Sequence, residues 1–390
     1  MKIAGIVAEY NPFHTGHAYH VETTCEKCGA NHIICVMSGN FTQRGEPAIW
    51  DKWTRAREAL LHGVSLVLEL PFIFATQSAE GFAQGAVSLL NSLDCVDVLS
   101  FGTEEAAFPS LLEASHILAE EPPAFKALLK KALMSGASFP VARAKAVSAL
   151  LPEAEPSIWE KPNNILALEY LKALSRIKSR IVPLPIDRLG SGYSDISLGP
   201  LYSSARAIRE ALKTGSSACR QYLFRDIDAF PPAVFPEALF PFLLFQLRRM
   251  TTDDIGRVYG VSEGLEYRIF KEAKNAESYE ALVRSVSSKR YPHSRIRRIL
   301  LYCLFGVTAE RMADYEHHPL YARVLGVRRD ALGLLSYLAK KSSVPIITKA
   351  ASFPNNPLFE MDIQATEVYS LLTKKIAPGK RDFTQKLLIV

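Results

Sequence analysis

The sequence has few cysteines, no long apolar run and no repeated segment. Six cysteines among 390 residues are too few for a disulfide framework, so we expect a protein of the reducing cytoplasm. No apolar run approaches the ~18 residues that a membrane-spanning helix needs, so we expect no membrane partner. The short apolar run at the N-terminus follows one lysine and then turns polar, which predicts a first β-strand and not a signal peptide.

Metal-binding patterns are also scarce. Cys25-Glu-Lys-Cys28 is a single Cys-x-x-Cys pair, and only Cys35 lies near it in the sequence. A structural zinc site needs a second pair of ligands at suitable spacing. We therefore predict no metal-ligating residues, although a zinc or redox role for this pair stays the alternative to two neighbours on a helix.

The composition is typical of a globular protein. Hydrophobic residues make up 48% of the chain and charged residues 22%, which excludes general disorder. A chain of this length exceeds one ordinary core, so we expect two or three domains. The net charge of +6 permits a polyanionic partner without requiring one.

The first hundred residues alternate between short apolar runs and segments of helical composition. Strands are predicted at 3–11, 32–39, 65–71 and 96–102, and helices at 17–28, 51–62 and 78–93. This order predicts the α/β class, with a Rossmann-like parallel sheet and right-handed crossovers. Ligands of such sheets bind at the carboxyl ends of the strands, which directs attention to residues 11–17, 38–45 and 102–104.

Beyond residue 108 the chain becomes mostly helical, with a fifth strand predicted at 181–188. Pro231, Pro232 and Pro236 mark a predicted boundary between a domain at 1–228 and a mostly helical region at 229–390. A strand, helix and strand near 321–349 are predicted to form a small α/β addition within the second region.

The first motif follows the first predicted strand directly. Residues 9–17 read EYNPFHTGH, and a helix is predicted to begin at the end of this segment. A helix N-terminus offers unbonded N–H groups and the positive end of its dipole to a phosphate. Two imidazoles beside a glycine can donate hydrogen bonds to charge that builds on an α-phosphate oxygen. His14 and His17 are therefore predicted catalytic residues.

The second motif is SSARAIR at 203–209, at the start of a helix predicted over 203–215. A hydroxyl at the helix start and an arginine further along suit a leaving pyrophosphate, because both donate hydrogen bonds to its oxygens. Ser204 and Arg209 complete the predicted catalytic set. The alternative is an ordinary capped amphipathic helix without a role in chemistry.

The two motifs together resemble the HxGH nucleotidylyltransferase superfamily, which also contains the class I aminoacyl-tRNA synthetases. Arg206 stands where the second signature more often has a hydroxyl residue, so its role stays open. Over about residues 1–300 the chain is similar to the tRNA(Met) cytidine acetate ligase family. The segments that carry this resemblance are VMSGNFTQRGEPA (36–48), KPNNILALEYL (161–171), RLGSGYSD (188–195), EGLEYRI (263–269) and KRYPHSRIRR (289–298).

The resemblance implies an ATP-dependent ligase that activates acetate to acetyl-adenylate. The acetyl group is then transferred to N4 of the wobble cytidine of elongator tRNA(Met). Acetate is already a carboxylate, so catalysis would consist mostly of positioning and charge stabilisation. Mg²⁺ is expected with the nucleotide, although no acidic cluster in the sequence locates it.

The resemblance also implies which residues bind ATP. They form one N-terminal segment and three positions elsewhere: Ile6, Val7, Ala8, Glu9, Tyr10, Asn11, Pro12, Phe13, His14, Thr15, Gly16, His17, Ala18, Tyr19, His20, Gly102, Asn163 and Arg188. Lys161, Gln43 and Arg44 are further candidate contacts. From residue type alone, Asn163 could equally be a helix N-cap and Arg188 a surface charge.

The third feature is the basic stretch at 284–298, which contains six Arg or Lys residues, one His, one Tyr and no acid. Such a stretch is typical of a protein that binds a nucleic-acid backbone, with one aromatic ring available for stacking. A solvated helix face is the alternative. With a family that modifies tRNA, the predicted tRNA-binding residues are Lys289, Arg290, Arg295, Arg297 and Arg298.

Two other functions stay open at this point. The N-terminal chemistry would also serve a nucleotidylyltransferase that adenylylates a small phosphorylated metabolite, although that function leaves the basic C-terminal half without a role. A non-catalytic RNA-binding protein that kept only the fold is the second alternative. The sequence does not predict the oligomeric state.

Overall fold

A computed structural model of the chain describes residues 1–104, 107–187, 198–199, 202–353 and 355–390. The strands are β1 (Ile3–Ala8), β2 (His32–Ser38), β3 (Leu66–Leu70), β4 (Val98–Thr103), β5 (Val182–Asp187), β6 (Ala322–Val327), β7 (Ile346–Ile347) and β8 (Leu388–Ile389). The helices of the N-terminal half are α1 (Thr15–Cys28), α2 (Lys52–Leu61), α3 (Phe72–Ala75), α4 (Ala79–Ser92), α5 (Phe108–Glu120), α6 (Pro123–Met134), α7 (Phe139–Leu150), α8 (Pro162–Arg176) and α9 (Ala205–Lys213). Those of the C-terminal half are α10 (Phe240–Arg249), α11 (Thr252–Gly256), α12 (Leu265–Asn275), α13 (Tyr279–Val286), α14 (His293–Phe305), α15 (Ala309–His317), α16 (Leu332–Lys341), α17 (Pro357–Leu371) and α18 (Arg381–Thr384).

The described strands form one sheet in the order β5-β4-β1-β2-β3-β6-β7, with β8 also paired to β6. Strands β5 to β3 along this order are parallel, whereas β6 runs antiparallel to β3. The five predicted N-terminal strands all form, within a few residues of their predicted limits. The predicted α/β class with a parallel sheet is therefore confirmed.

The central strands are mostly apolar because helices cover both faces of the sheet there. On β2, Ile34 and Val36 join the core beneath α4 and α8, whereas Ile33 and Cys35 join the core beneath α1 and α2. Neighbouring residues of a strand point to opposite faces, so a strand buried on both sides is apolar at every position. This arrangement leaves the carboxyl ends of β1, β4 and β5 as the place where polar residues gather.

The strand, helix and strand predicted near 321–349 form as β6, α16 and β7, but they extend the N-terminal sheet. Strand β6 pairs with β3, with Leu66 opposite Val327. Pairing covers what would otherwise be an exposed edge of hydrogen-bonding groups on β3. Strands from both sides of residue 228 thus share one sheet, and the boundary predicted there stays a prediction.

The C-terminal helices enclose a second apolar core. Phe41 and Phe72 from the N-terminal half insert into it, with the rings of Phe41 and Phe305 at 5.3 Å. The loop after β2 is thereby fixed against the C-terminal helices. Among the described helices, none is both long and apolar enough to cross a membrane.

Candidate active site

The start of helix α1 is built around its two histidines. His14 is the N-cap residue, and its ring Nδ1 accepts a hydrogen bond from the Gly16 N–H at 3.1 Å. In turn, the Nδ1 of His17 accepts a hydrogen bond from the His14 N–H at 3.3 Å. The two rings lie 3.8 Å apart. A side chain at Gly16 would come within 3.0 Å of the His14 ring, so glycine is needed for the ring to fold back over the helix start.

These contacts fix the roles of the ring nitrogens. A neutral imidazole has one donor and one acceptor nitrogen. Since Nδ1 accepts a backbone N–H in both His14 and His17, the proton of each neutral ring lies on Nε2. The motif therefore offers two Nε2–H donors beside the N-terminus of a helix, which is the donor set that an anionic phosphate requires.

A cavity of about 210 Å³ opens at the carboxyl ends of β1, β4 and β5. Two helix N-termini meet there, since residues from the first turns of both α1 and α9 line it. Its predicted ATP-binding members are Val7, Ala8, Glu9, Tyr10, Asn11, His14, Gly16, His17, Tyr19, His20, Gly102 and Asn163. The structure thus brings twelve of the eighteen predicted contacts to one place.

Five of the other predicted contacts lie away from the cavity lining, namely Ile6, Pro12, Phe13, Thr15 and Ala18. Ile6 and Phe13 are almost fully buried in the core beside α1 and α2. Ile6 and Phe13 are buried in this core because a continuous nucleotide-binding segment contains both residues that face the ligand and residues that anchor the loop. Arg188 and the segment around it lie outside the described residues.

His20 is held from below by a hydroxyl network. Its Nε2 is 2.9 Å from the Ser100 hydroxyl, which in turn is 2.7 Å from the Thr24 hydroxyl. Ser100 belongs to β4 and is buried. The network links α1 to the strand whose next residues, Phe101 and Gly102, form the cavity floor.

The two asparagines at the start of α8 have separate roles. The N-cap residue of this helix is Lys161, so neither asparagine is the cap. Asn164 is buried and accepts the Glu104 N–H at 2.8 Å, which fixes the loop after β4. Asn163 donates to the Glu104 side chain and lines the cavity, whereas Lys161 does not line it.

Helix α9 presents its first turn to the cavity. Ser204 is the N-cap residue, and its hydroxyl accepts the Ala207 N–H at 3.1 Å. The cavity is lined instead by its neighbour Ser203, whose buried hydroxyl has no hydrogen-bond partner among the described residues. Arg209 also lines the cavity, and its Nη1 donates to the Asn11 carbonyl at 2.5 Å. Arg206 lines it as well.

The opposite wall is the loop at 42–46. Gln43 and Arg44, both candidates from the sequence, line the cavity together with Glu46. The Gln43 N–H donates to the Glu9 carboxylate at 2.7 Å. This bond joins the loop after β2 to the end of β1.

Arg55 of α2 is a structural residue that the sequence analysis missed. It is fully buried, and its guanidinium donates to four backbone carbonyls, those of Glu9, Ser38, Gly39 and Trp50. The arginine thereby ties together the ends of β1 and β2 that bound the cavity. Residue type provided no signal for this role, because arginine side chains are mostly exposed in folded proteins.

The five predicted tRNA-binding residues do not have the same surroundings. Lys289 and Arg290 are exposed, with Arg290 paired to Glu263 at 2.5 Å. Arg295 lies over the Tyr291 ring, 4.6 Å from its centroid, and donates to the Gly260 carbonyl. A solvent-facing basic surface is thus formed by the segment before α14.

Arg297 and Arg298 point instead toward the 42–46 loop. Arg297 pairs with Glu46 at 2.7 Å and with Glu280 at 2.9 Å. Arg298 donates to the Gln43 carbonyl at 3.3 Å, and burial lowers the pKa of its guanidinium. These two arginines connect α14 to the cavity wall.

The described residues contain no group of three or more His, Cys, Asp or Glu side chains that could hold a metal ion. Cys25 and Cys28 are free thiols near the end of α1, and the Cys28 thiol donates to the Thr24 carbonyl. Burial raises the pKa of the Cys25 thiol, so it is less reactive than an ordinary cysteine at neutral pH.

Comparison with known proteins gives a consistent result. A family model described as HIGH Nucleotidyl Transferase matches residues 1–384. A tRNA(Met) cytidine acetate ligase from Acetivibrio thermocellus is 40% identical over 415 residues, with 100% of both chains covered. One from Syntrophomonas wolfei is 41% identical over 410 residues, with 98% of both chains covered.

Solved structures agree with the sequence relatives. Apo Thermotoga maritima TmcAL matches this structure with a TM-score of 0.92 at 35% identity. The same protein bound with alpha-thio ATP matches with a TM-score of 0.90. Each comparison covers 100% of both chains. The resemblance predicted from the motifs is confirmed.

Proposed function

The chain belongs to the tRNA(Met) cytidine acetate ligase family, within the HIGH nucleotidyl transferases, and from this premise we propose that it is an ATP-dependent tRNA-modifying ligase. It activates acetate to acetyl-adenylate. It then transfers the acetyl group to N4 of the wobble cytidine of elongator tRNA(Met). The relatives carry the corresponding name, and a solved relative binds an ATP analogue.

The observation that carries this proposal is the paired Nε2–H donors of His14 and His17. They lie at the start of α1, in a cavity at the carboxyl ends of parallel strands. Donors that are already oriented toward developing negative charge stabilise a transition state without reorganising during the reaction. An α-phosphate under attack is the group that develops such charge.

The first reaction step follows from this placement. An acetate oxygen attacks the α-phosphorus, the bond from that phosphorus to the bridging oxygen breaks, and pyrophosphate leaves with the electron pair. No base is required, because acetate is already ionised at neutral pH. His14 and His17 stabilise the α-phosphate oxygens, while Arg209 and the N-terminus of α9, capped by Ser204, stabilise the pyrophosphate.

Gly102, Asn163 and Arg188 are the remaining proposed ATP contacts. Gly102 allows the nucleotide to lie against the end of β4, because it presents no side chain there. Asn163 offers an amide at the cavity wall. Arg188 is retained as an ATP contact from the family resemblance.

Mg²⁺ is proposed to accompany the nucleotide. Three carboxylates line the cavity, and each has a partner: that of Glu9 accepts the Gln43 N–H, that of Glu46 pairs with Arg297, and that of Asp187 accepts the Thr103 hydroxyl at 3.4 Å. Oxygen ligands from the phosphates are the usual main attachment of this ion in nucleotide-using enzymes. The ion would therefore be held chiefly by the nucleotide. The protein is proposed to act in the cytoplasm, where ATP and tRNA both occur.

The tRNA is proposed to bind along the basic stretch before and within α14. Lys289 and Arg290 face solvent, so they can contact phosphates, which attract cations without sequence preference. Arg295, on the Tyr291 ring, completes this surface. Arg297 and Arg298 contribute from behind it, by fixing the cavity wall.

An exchange assay tests the proposal. The purified chain, ATP and labelled pyrophosphate should give labelled ATP only when acetate is added. When ATP is present, label from acetate should become acid-precipitable together with elongator tRNA(Met). Exchange that requires a phosphorylated metabolite in place of acetate would support the metabolite nucleotidylyltransferase. Absence of exchange with every acceptor would contradict an enzymatic function.

A further inference from the structure

A second cavity, of about 300 Å³, adjoins the first. The two share Arg44, Glu46, Arg206 and Arg209 in their linings. Most residues that line the second cavity are charged, but one part of its wall is apolar and includes Phe235 and Pro236. It is thus a recess beside the nucleotide cavity in which a flat ring could stack on an apolar surface.

Glu46 is the carboxylate that stands between these cavities. Among the described residues it is the one acidic side chain that lines both. Its side chain is only 14% exposed, and one of its oxygens binds Arg297 at 2.7 Å. The second carboxylate oxygen keeps acceptor capacity toward a ligand, because each carboxylate oxygen offers two lone pairs.

The position of Glu46 is tightly fixed. Its carbonyl accepts the Thr42 N–H at 2.9 Å, which closes the loop. Gly45 has φ +75°, and a side chain there would come within 2.5 Å of the Arg298 backbone nitrogen. The loop therefore packs backbone-to-backbone on α14, the helix proposed to follow the tRNA-binding stretch. A docked tRNA and this carboxylate thus share one rigid support.

The second reaction step requires a group of this kind. The exocyclic amine of cytosine is a poor nucleophile, because its lone pair is delocalised into the ring. When its nitrogen bonds to the acetyl carbon, it acquires positive charge and has to lose a proton. Carboxylates accept hydrogen bonds from this amine in nucleic-acid recognition, and a positioned base of this type accelerates proton transfer.

On the basis of the proposed function, we infer that Glu46 binds the N4 amine of the target cytosine and takes its proton during acetyl transfer. The cytosine enters the second cavity and stacks on Phe235 and Pro236. The N4–C(acetyl) bond forms, the C–O bond to AMP breaks, and AMP leaves with the electron pair. The proton from N4 passes to the Glu46 carboxylate and then to water.

The test is Glu46→Gln, which preserves size and hydrogen bonding but removes the base. Two rates are measured on the full chain: acetate-dependent pyrophosphate exchange, and acetyl transfer to elongator tRNA(Met). The ratio of transfer to exchange should fall by at least ~100-fold, as expected for loss of a general base.

Glu58→Gln is the matched control, because Glu58 is also a little-exposed carboxylate bound by an arginine, Arg225 at 3.0 Å, and it lines neither cavity. It should leave the ratio close to that of the wild type. An equal fall in both variants, or full transfer by Glu46→Gln, overturns the inference and leaves the proposed function intact. A wild-type chain without acetate-dependent exchange overturns the proposed function, and the role of Glu46 with it.

Discussion

Two adjacent serines at the start of α9 differ in what their hydroxyls do. Ser204 caps the helix by accepting a backbone N–H. Ser203 is equally buried, yet its hydroxyl has no partner among the described residues and it lines the cavity. A buried hydroxyl without a partner is costly, so Ser203 is suited to donate to a bound phosphate. We therefore expect Ser203 to contact the ligand, one position before Ser204, the serine that the motif indicated.

Alanine substitutions should separate these roles. Ser204→Ala should lower the free energy of unfolding by about 1 kcal/mol, the usual cost of losing an N-cap. Ser203→Ala should leave stability nearly unchanged or raise it, and should weaken ATP binding. Denaturant unfolding and ATP titration of both variants provide the comparison. Equal ATP affinity in Ser203→Ala and the wild type would contradict a ligand-binding role for Ser203.

The basic stretch is divided between helix α14 and the segment that precedes it. That segment carries Lys289 and Arg290 in solvent, whereas Arg298 on the helix contacts the Gln43 carbonyl and is half-buried. The basic stretch predicted from the sequence is therefore divided between a surface and a brace for the cavity wall. A spacing of three residues places Arg295 and Arg298 on one side of a helix, but it does not indicate that another loop packs there.

This division gives a prediction with two outcomes. Lys289→Ala combined with Arg290→Ala should weaken tRNA binding, reduce its salt dependence and leave acetate-dependent exchange intact, because each phosphate contact releases counterions. Arg298→Ala should impair exchange as well, since the 42–46 wall loses its support. Binding at two salt concentrations and exchange assays measure both effects. Normal exchange in Arg298→Ala would contradict the bracing role.

Elements with a strong local pattern were predictable, and those that depend on distant partners were not. Strands β1 to β5 were visible as apolar runs, and the HTGH segment identified the cavity. Strand β8 has only two residues and forms because Gly326 lets it approach β6, with the Leu388 Cβ within 2.8 Å of where a side chain would lie. The roles of Glu46 and Arg55 likewise depend on contacts that no local spacing encodes.

Considering the molecule as a whole, a buried ion cluster links the C-terminal segment of the chain to the N-terminal sheet. Lys52 is fully buried and lies 2.8 Å from both Glu69 on β3 and Asp382 on α18. Although burial alone lowers the pKa of a lysine, the carboxylates of Asp382 and Glu69 raise the pKa of Lys52 above its ordinary value. The C-terminal segment is thus attached to the N-terminal sheet by the Lys52 ammonium group, which stays protonated.

Lys52→Met should destabilise the chain by about 3–5 kcal/mol, because it leaves the buried Glu69 carboxylate without its ion-pair partner and leaves Asp382 only the longer pair with Arg323, at 3.7 Å. Lys213→Met is the control: its pair with Glu237 is nearly half exposed, and such pairs contribute at most about 1 kcal/mol. Since the pKa of Lys52 is raised by folding, its contribution is present below about pH 10.4 and is lost at higher pH. Denaturant unfolding of the wild type and both variants at pH 8 and pH 11 measures the loss of unfolding free energy and its pH dependence. Similar losses of unfolding free energy in Lys52→Met and Lys213→Met would contradict the expectation.

The proposed function depends on the Nε2–H groups of His14 and His17, which should stabilise the α-phosphate while ATP is cleaved. His17→Asn isolates this role, because asparagine can replace the Nδ1 acceptor that caps the helix start but does not reach the Nε2 position. We expect an unfolding free energy close to that of the wild type and a loss of acetate-dependent pyrophosphate exchange of about 100- to 1,000-fold. A folded His17→Asn chain that exchanges pyrophosphate at the wild-type rate would contradict it.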